Sequence, residues 1–246
     1  MKNVLFLERH KQFRWHPGML LPDARMQISF MKDLATLRNP RSPITFLSYL
    51  HSQDRLVNFI NRGSTIPTRK EYADYLGWAA QYVEDHGVNV RYGSEVVSLD
   101  DAGNGIILVR IRDVTTSKET VYRTKDLVIS PGGSPSIPSA LQTLFTHSES
   151  VIHSSTYTSS IPAVLDAISA RPHPLRIAVI GSGQSGAEVT LDLRERLRSV
   201  AGGNHQIELI LRKGSLKPSD DSPFANEIFD PEGMAALVSP NQISDT

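Results

Sequence analysis

Ile177-Ala178-Val179-Ile180-Gly181-Ser182-Gly183-Gln184-Ser185-Gly186-Ala187-Glu188 sets a G-x-G-x-x-G loop directly after an apolar run. The pattern predicts a strand over Arg176 to Ile180, a helix over Gln184 to Arg198 and a second strand over Gln206 to Leu211, which together make a βαβ unit. Each glycine has its own task. Gly181 allows the tight turn, Gly183 lets the backbone approach a pyrophosphate, and Gly186 lets helix and strand pack closely. The unpaired N–H groups at the helix start would then hold the phosphates. A glycine turn in some other βαβ fold could carry the same motif, but the strand–helix–strand order favours dinucleotide binding.

The end of the second strand discriminates between dinucleotides. NAD-binding units usually place an acid there for the ribose 2′-hydroxyl, whereas an Arg accommodates a 2′-phosphate. Here Ile207-Glu208-Leu209-Ile210-Leu211 runs into Arg212-Lys213, so the expected cofactor is NADPH. The bland alternative is an ordinary basic residue at a strand end.

Working outward, Val4 to Leu7 reads as a buried parallel strand ending at Glu8, like the second strand of another nucleotide-binding unit. The first strand and glycine loop expected before it do not occur, and nothing after Asn226 restores a closing strand. Gln27 to Leu37 is expected to be helical, with Ile28, Met31, Leu34 and Leu37 at three-residue spacing. Ser42-Pro43 is expected to cap and start another helix. Thr68 to Glu71 is a Thr-x-x-Glu capping box, opening a helix with Tyr72, Tyr75, Leu76, Ala79 and Val83 on one face and a stop at Gly87. Val88 to Tyr92, Glu95 to Leu99, Gly105 to Ile111 and Glu119 to Tyr122 read as strands of a meander. After the apolar run Leu127 to Ser130, the cluster Pro131-Gly132-Gly133-Ser134-Pro135 is the best boundary in the chain.

The expected fold class is therefore α/β, with two dinucleotide-binding, Rossmann-like regions and a small β-meander. Residues 1–133 are expected to form one partial nucleotide-binding region with the meander, 134–231 a partial NADPH-binding region, and 232–246 an irregular tail.

Bulk numbers exclude several classes. The chain has 246 residues, 39% hydrophobic and 21% charged, enough for a sizeable core. Lys+Arg and Asp+Glu both total 26, so a nucleic-acid or anionic-membrane partner is not expected. Cys 0 rules out disulfides, cysteine-ligated zinc and a cysteine nucleophile, and no metal site is expected. No run is long enough to span a membrane, and Met1 to Glu8 is not a signal peptide, so a cytoplasmic address is the expectation.

Five ordered blocks carry a wider resemblance. Glu8-Arg9-His10-Lys11-Gln12-Phe13-Arg14-Trp15-His16-Pro17-Gly18-Met19 is similar to the flavin-binding region of fungal L-ornithine N-monooxygenases, flavin-dependent N-hydroxylating enzymes of siderophore biosynthesis. The likeness continues at Met26 to Leu34, Ile152 to Tyr157, Gly181 to Ser185 and Pro218 to Phe229. It implies an incomplete FAD domain over 1–133 with an inserted, partial NADPH domain over 134–231, FAD and NADPH as cofactors, and L-ornithine and O2 as substrates. NADPH would reduce the flavin, the reduced flavin would activate dioxygen, and the uncharged side-chain amine would take one oxygen atom.

Residue by residue, the resemblance implies that Glu8, Arg9, His10, Lys11, Gln12, Phe13, Arg14, Trp15 and His16 line FAD, with Met26 and Gln27 in the flavin-facing segment and Val96 at the adenine. Gly181, Ser182, Gly183, Gln184, Ser185 and Arg212 match NADPH contacts, and Arg69 a basic residue near NADPH. Gln184 could hydrogen-bond the nicotinamide or the oxygenated flavin, which makes it the candidate catalytic residue. Lys32 matches the lysine that pairs with the ornithine α-carboxylate, and Asn226, opening Asn226-Glu227-Ile228-Phe229, a second group on the amino-acid end. Taken singly, Lys32 reads as a solvated lysine on an amphipathic helix, Trp15 as core, and Asn226 as a turn residue; the ordered blocks reverse that.

Three departures accompany the likeness. The family's glycine loop for FAD and its C-terminal closing part do not occur here, so FAD is expected to bind poorly and the FAD-side sheet to have unpaired edges. Gly186 is often alanine in relatives, which reads as a harmless swap. The complete enzyme is expected to be a homotetramer. The alternatives are an N-hydroxylase of lysine or another amine, one methylene away, and an inactive NADPH-binding or interaction module.

Overall fold

The computed structural model describes residues 4–147, 151–169, 174–200, 204–212 and 216. Along the chain come β1 (Leu5–Leu7), α1 (Phe46–Ser52), α2 (Leu56–Asn61), α3 (Arg69–Asp85), β2 (Asn89–Arg91) and β3 (Ser94–Asp101). Then follow β4 (Ile107–Asp113), β5 (Glu119–Thr124), α4 (Ser139–His147), α5 (Tyr157–Ser169), β6 (Arg176–Ile180), α6 (Gln184–Leu197) and β7 (Gln206–Ile210). The chain divides into two compact units, Met1–Trp15 with Leu76–Ser136, and His16–Tyr75 with Ile137–Thr246.

In the first unit, β1 pairs in parallel with β2, Leu5 opposite Asn89 and Leu7 opposite Arg91. β3, β4 and β5 form the antiparallel meander, with Val109 and Ile111 of the central strand buried. The Val88 to Tyr92 strand therefore joins β1 and not the meander. A bulge between Val96 and Ser98 breaks the β3–β4 register. α3 stops as expected: the Gly87 N–H bonds the Glu84 carbonyl at 2.9 Å, and Gly87 takes a φ of 85°. The apolar run after β5 forms no strand, and Val128 is 91% exposed.

In the second unit, the capping box forms as read. The Thr68 N–H donates to Glu71 Oε2 at 3.0 Å and the Glu71 N–H donates to Thr68 Oγ1 at 3.1 Å. Glu71 also accepts from Arg55 and Arg62 at 3.0 Å each. Burial alone would raise its pKa, but the Thr68 N–H and the Arg62 guanidinium hold the carboxyl below its usual range. Tyr72 and Tyr75 of α3 pack with Phe46, Tyr49 and Phe59 in an aromatic core centred on Phe46, which is fully buried.

Two helix expectations fail here. Gln27 to Leu37 is a run of turns and bends. Asp33 causes it: its carboxylate accepts the N–H groups of Ala35 (2.9 Å), Thr36 (2.6 Å) and Phe46 (2.6 Å), and the Thr36 hydroxyl at 2.7 Å. Such side-chain bonds to the local backbone compete with the helical ladder. Helix α1 starts at Phe46 and not at Ser42-Pro43, because Thr45 Oγ1 is the cap, accepting the Ser48 N–H at 3.1 Å.

The βαβ unit is present: β6 and β7 run parallel, Arg176 opposite Gln206 and Ile180 opposite Ile210, with α6 between them in sequence. Val189, Leu193 and Leu197 of α6 pack with Val179 of β6 and with Tyr157, Ile161 and Leu165 of α5. Met19 and Leu21 join the same cluster. The Tyr157 hydroxyl donates to Asp192 at 2.7 Å, and burial, with the Asp192 charge, pushes its pKa far above the ordinary phenol range.

The Met19 segment approaches α5's entry backbone to backbone. A Cβ on Gly18 would lie 2.2 Å from the Ser155 carbonyl, and Thr158 Oγ1 donates to the Pro17 carbonyl at 2.6 Å. The Pro17-Gly18 backbone and the Ser154-Ser155 backbone therefore meet because residue 18 has no side chain. Gly18→Ala is expected to destabilise the chain by about 1–3 kcal/mol, the usual cost of overpacking, read as a lower urea midpoint; an unchanged midpoint would refute the contact.

Candidate functional site

The glycine loop lies between β6 and α6. Gly181 has a φ of 133°, and its N–H is tied to the Ile210 carbonyl at the end of β7 at 3.1 Å. Gly183 is the N-cap of α6, extended, with no side-chain cap. Nothing lies within 4 Å of the place a Gly183 Cβ would occupy. No side chain caps the start of α6, and its first turn carries no acidic residue. This is the arrangement a pyrophosphate requires.

Gly186 lies close against the loop at Gly181, so its exchange for alanine is not a harmless swap here. A Cβ there would stand 2.5 Å from the Gly181 carbonyl oxygen, so helix or loop would have to shift. Arg212 is exposed, two residues beyond β7.

The helix α6 joins other candidate residues through Glu188. Arg69 binds Glu188 with both terminal nitrogens, Nη1 to Oε2 at 2.6 Å and Nη2 to Oε1 at 2.8 Å. Arg69 Nη1 also reaches the Met19 carbonyl at 3.3 Å. Gln184 Nε2 donates to Glu188 Oε1 at 2.7 Å, and Gln184 Oε1 accepts a hydrogen bond from Gln27 Nε2. Gln27, Arg69 and Gln184 are therefore brought together.

Met26 is placed by backbone pairing: its N–H bonds the Pro67 carbonyl at 3.0 Å, and the Arg69 N–H bonds the Ala24 carbonyl at 2.8 Å. Lys32 sits half-buried on the Asp33 loop, not on a helix. Tyr72 Oη donates to the Lys32 carbonyl at 3.2 Å, and Tyr75 Oη accepts the Leu34 N–H at 3.1 Å. Both tyrosines belong to α3, so the loop's position is set by the aromatic core.

In the first unit, Glu8 follows β1. Its Oε1 accepts the His10 N–H at 2.7 Å, and its backbone is held by the Arg91 carbonyl (3.1 Å) and the Ser94 N–H (2.9 Å). The Gly93 N–H holds the His10 carbonyl at 2.8 Å. The Phe13 ring lies 3.5 Å from where a Gly77 Cβ would be. Trp15 is half-buried, Arg9, Lys11, Gln12 and Arg14 carry exposed side chains, and Val96 is 45% exposed at the β3 bulge. Asn226, Glu227, Ile228 and Phe229, and the tail 232–246, lie outside the described residues. Among the described residues there is no group of three His, Cys, Asp or Glu side chains able to hold a metal, and no helix long and apolar enough to cross a membrane.

The profile of the family described as L-lysine 6-monooxygenase/L-ornithine 5-monooxygenase matches residues 1–243. The chain belongs to this family.

Similarity to individual members agrees. The L-ornithine N(5)-monooxygenase of Coprinopsis cinerea is 60% identical over 240 residues, covering 97% of this chain and 44% of that one. The solved ornithine hydroxylase of Pseudomonas aeruginosa shares the fold with a TM-score of 0.79 at 40% identity, covering 95% of this chain and 53% of that one. The ornithine N-hydroxylase of Kutzneria sp. 744, solved with reduced FAD, NADP+ and L-ornithine, has a TM-score of 0.79 at 36% identity, covering 95% and 52%. The α/β, Rossmann-like class is thus shared with solved structures of the family, and the chain spans about half the length of the relatives it matches.

Two residues of this lysine/ornithine monooxygenase chain escape motif reading. Asp33 looks like a helix surface acid in sequence, yet it organises the Lys32 loop. Glu188 stands four residues after Gln184 on a helix, and that i,i+4 spacing was the one available signal. Asp33→Ala removes the partner of three buried or half-buried N–H groups. It is expected to cost about 2–4 kcal/mol in urea unfolding, and a loss below about 0.5 kcal/mol would show that the loop does not depend on Asp33.

Proposed function

We propose that the protein takes part in FAD- and NADPH-dependent hydroxylation of the side-chain amine of L-ornithine with O2, for hydroxamate siderophore synthesis. The observation that carries this reading is the uncapped, open glycine loop with Gln184 and Arg69 beside it, in a chain of the lysine/ornithine monooxygenase family. Bound FAD and NADPH would supply reduction and dioxygen activation; the protein's part is binding, orientation and exclusion of water.

The N–H groups of Ser182, Gly183, Gln184 and Ser185, freed by the turn at Gly181, would hold the NADPH pyrophosphate, and Arg212 its 2′-phosphate. Glu8 would take an FAD ribose hydroxyl, with Arg9 to His16, Met26, Gln27 and Val96 along the same cofactor. Lys32 would pair with the α-carboxylate of ornithine, as a point charge on a half-buried loop can. Asn226 to Phe229 would contribute the rest of the substrate site. We assign 1–133 to the FAD side, 134–231 to the NADPH side and 232–246 to a tail. A cytoplasmic homotetramer of the longer protein is part of the same proposal. The identity to named ornithine enzymes favours ornithine over lysine.

The test is a visible spectrum of the chain with FAD, followed by NADPH, air and either L-ornithine or L-lysine. Hydroxylated ornithine in excess over hydroxylated lysine is the expected result; the reverse preference would move the substrate to lysine, and no product from either, with no flavin retained, would overturn an activity resident in this chain. In a separate titration, Arg212→Ala is expected to weaken NADPH roughly tenfold to hundredfold, the scale of a lost charge-assisted contact, with little change for NADH. Equal losses for both would remove Arg212 as the 2′-phosphate clamp.

A further inference from the structure

Glu188 lies one turn into α6, four residues after Gln184. Its Oε1 accepts from Gln184 Nε2 at 2.7 Å and from Arg69 Nη2 at 2.8 Å, while Oε2 accepts from Arg69 Nη1 at 2.6 Å. The Arg69 and Glu188 side chains are only 15% and 20% exposed. A carboxylate has no proton to give. Gln184 must therefore turn its amide nitrogen toward Glu188, and its carbonyl oxygen must face the other way. There it accepts from Gln27 Nε2, which turns the Gln27 oxygen outward in its turn. One acid sets the direction of two carboxamides, and each carboxamide could otherwise flip at little cost.

We propose that Glu188 is a positioning residue for the dinucleotide site: its acceptor-only carboxylate fixes the Gln184 and Gln27 amides in one orientation. Gln184 then offers the dinucleotide's carboxamide end one remaining N–H and one remaining lone pair, and Gln27 offers a carbonyl oxygen. Arg69 completes the device. An uncompensated carboxylate one turn from the loop would repel an incoming pyrophosphate, and the bidentate guanidinium cancels that charge. Arg69 thus acts through Glu188, and its side chain is already occupied before any cofactor arrives. The proposal rests on the reading of the loop as an NADPH site.

The experiment uses the 15N-labelled full chain and its glutamine side-chain NH2 signals, with Gln184 assigned by loss in a Gln184→Leu spectrum, alongside NADP+ titration. In wild type the Gln184 signals are expected to be shifted and slow to exchange. Glu188→Gln keeps the shape but can donate as well as accept. It is expected to move the Gln184 signals toward those of a solvated amide and to weaken NADP+ roughly fivefold to tenfold, the scale of one misdirected hydrogen bond. Unchanged signals and unchanged affinity overturn the proposal. Gln27→Ala, at an exposed position, provides a second arm that does not depend on the fold tolerating a change at 188. It should leave the Gln184 N–H signal bound to Glu188, and loss of that signal would show that Gln27, not Glu188, sets the orientation. A wild-type chain that fails to bind NADP+ overturns the dinucleotide reading instead, and the amide signals then decide the orienting role by themselves.

Discussion

The fork of Arg69 on Glu188 ties three segments that are far apart in sequence. Arg69 is the first residue of α3, Glu188 lies on the helix that begins at the glycine loop, and the Met19 carbonyl shares the same guanidinium. Two parallel N–H···O contacts fix distance and angle together, which a single point charge cannot do. The capping box just before the fork adds to this order. Thr68 and Glu71 hold the start of α3, so Arg69 leaves the helix in a set direction. Gln184, on the same helix as Glu188, bonds the fork's carboxylate, and Gln27 bonds Gln184 in turn.

Backbone contact is the second constraint. Gly18 touches the Ser155 carbonyl and Gly186 the Gly181 carbonyl, each at a spacing no Cβ could share. Both contacts are made at glycines with ordinary φ values, so the requirement is space and not conformational freedom. Gly181 is the opposite case, with a φ of 133° and open space around it. The loop thus combines one glycine for torsion, one with open space around it and one for packing. The chain belongs to the lysine/ornithine monooxygenase family and spans about half the length of the relatives it matches.

Local signals were legible wherever the stabilising partner lies within a few residues. The capping box and the hairpins of the meander rest on near neighbours in sequence, the βαβ unit on one continuous strand–helix–strand run, and the elements form over nearly the expected spans apart from Val88 to Tyr92. The segment Gln27 to Leu37 shows the converse. Its three-residue apolar spacing is real, but Asp33 bonds the backbone of Ala35 and Thr36 and also of Phe46, thirteen residues away, and these bonds compete with the helix. Likewise Val88 to Tyr92 reads as one more meander strand until β1, more than eighty residues earlier, pairs with it.

The sequence by itself determined the order of glycine, apolar and capping residues, and with it the Rossmann-like class, because those features act through backbone torsion and short-range hydrogen bonds. Only the tertiary structure decided which side chains meet. Arg69 and Glu188 are 119 residues apart, and Gln27 and Gln184 are 157 apart. No spacing rule encodes such pairs, since they form only when separately folded segments converge.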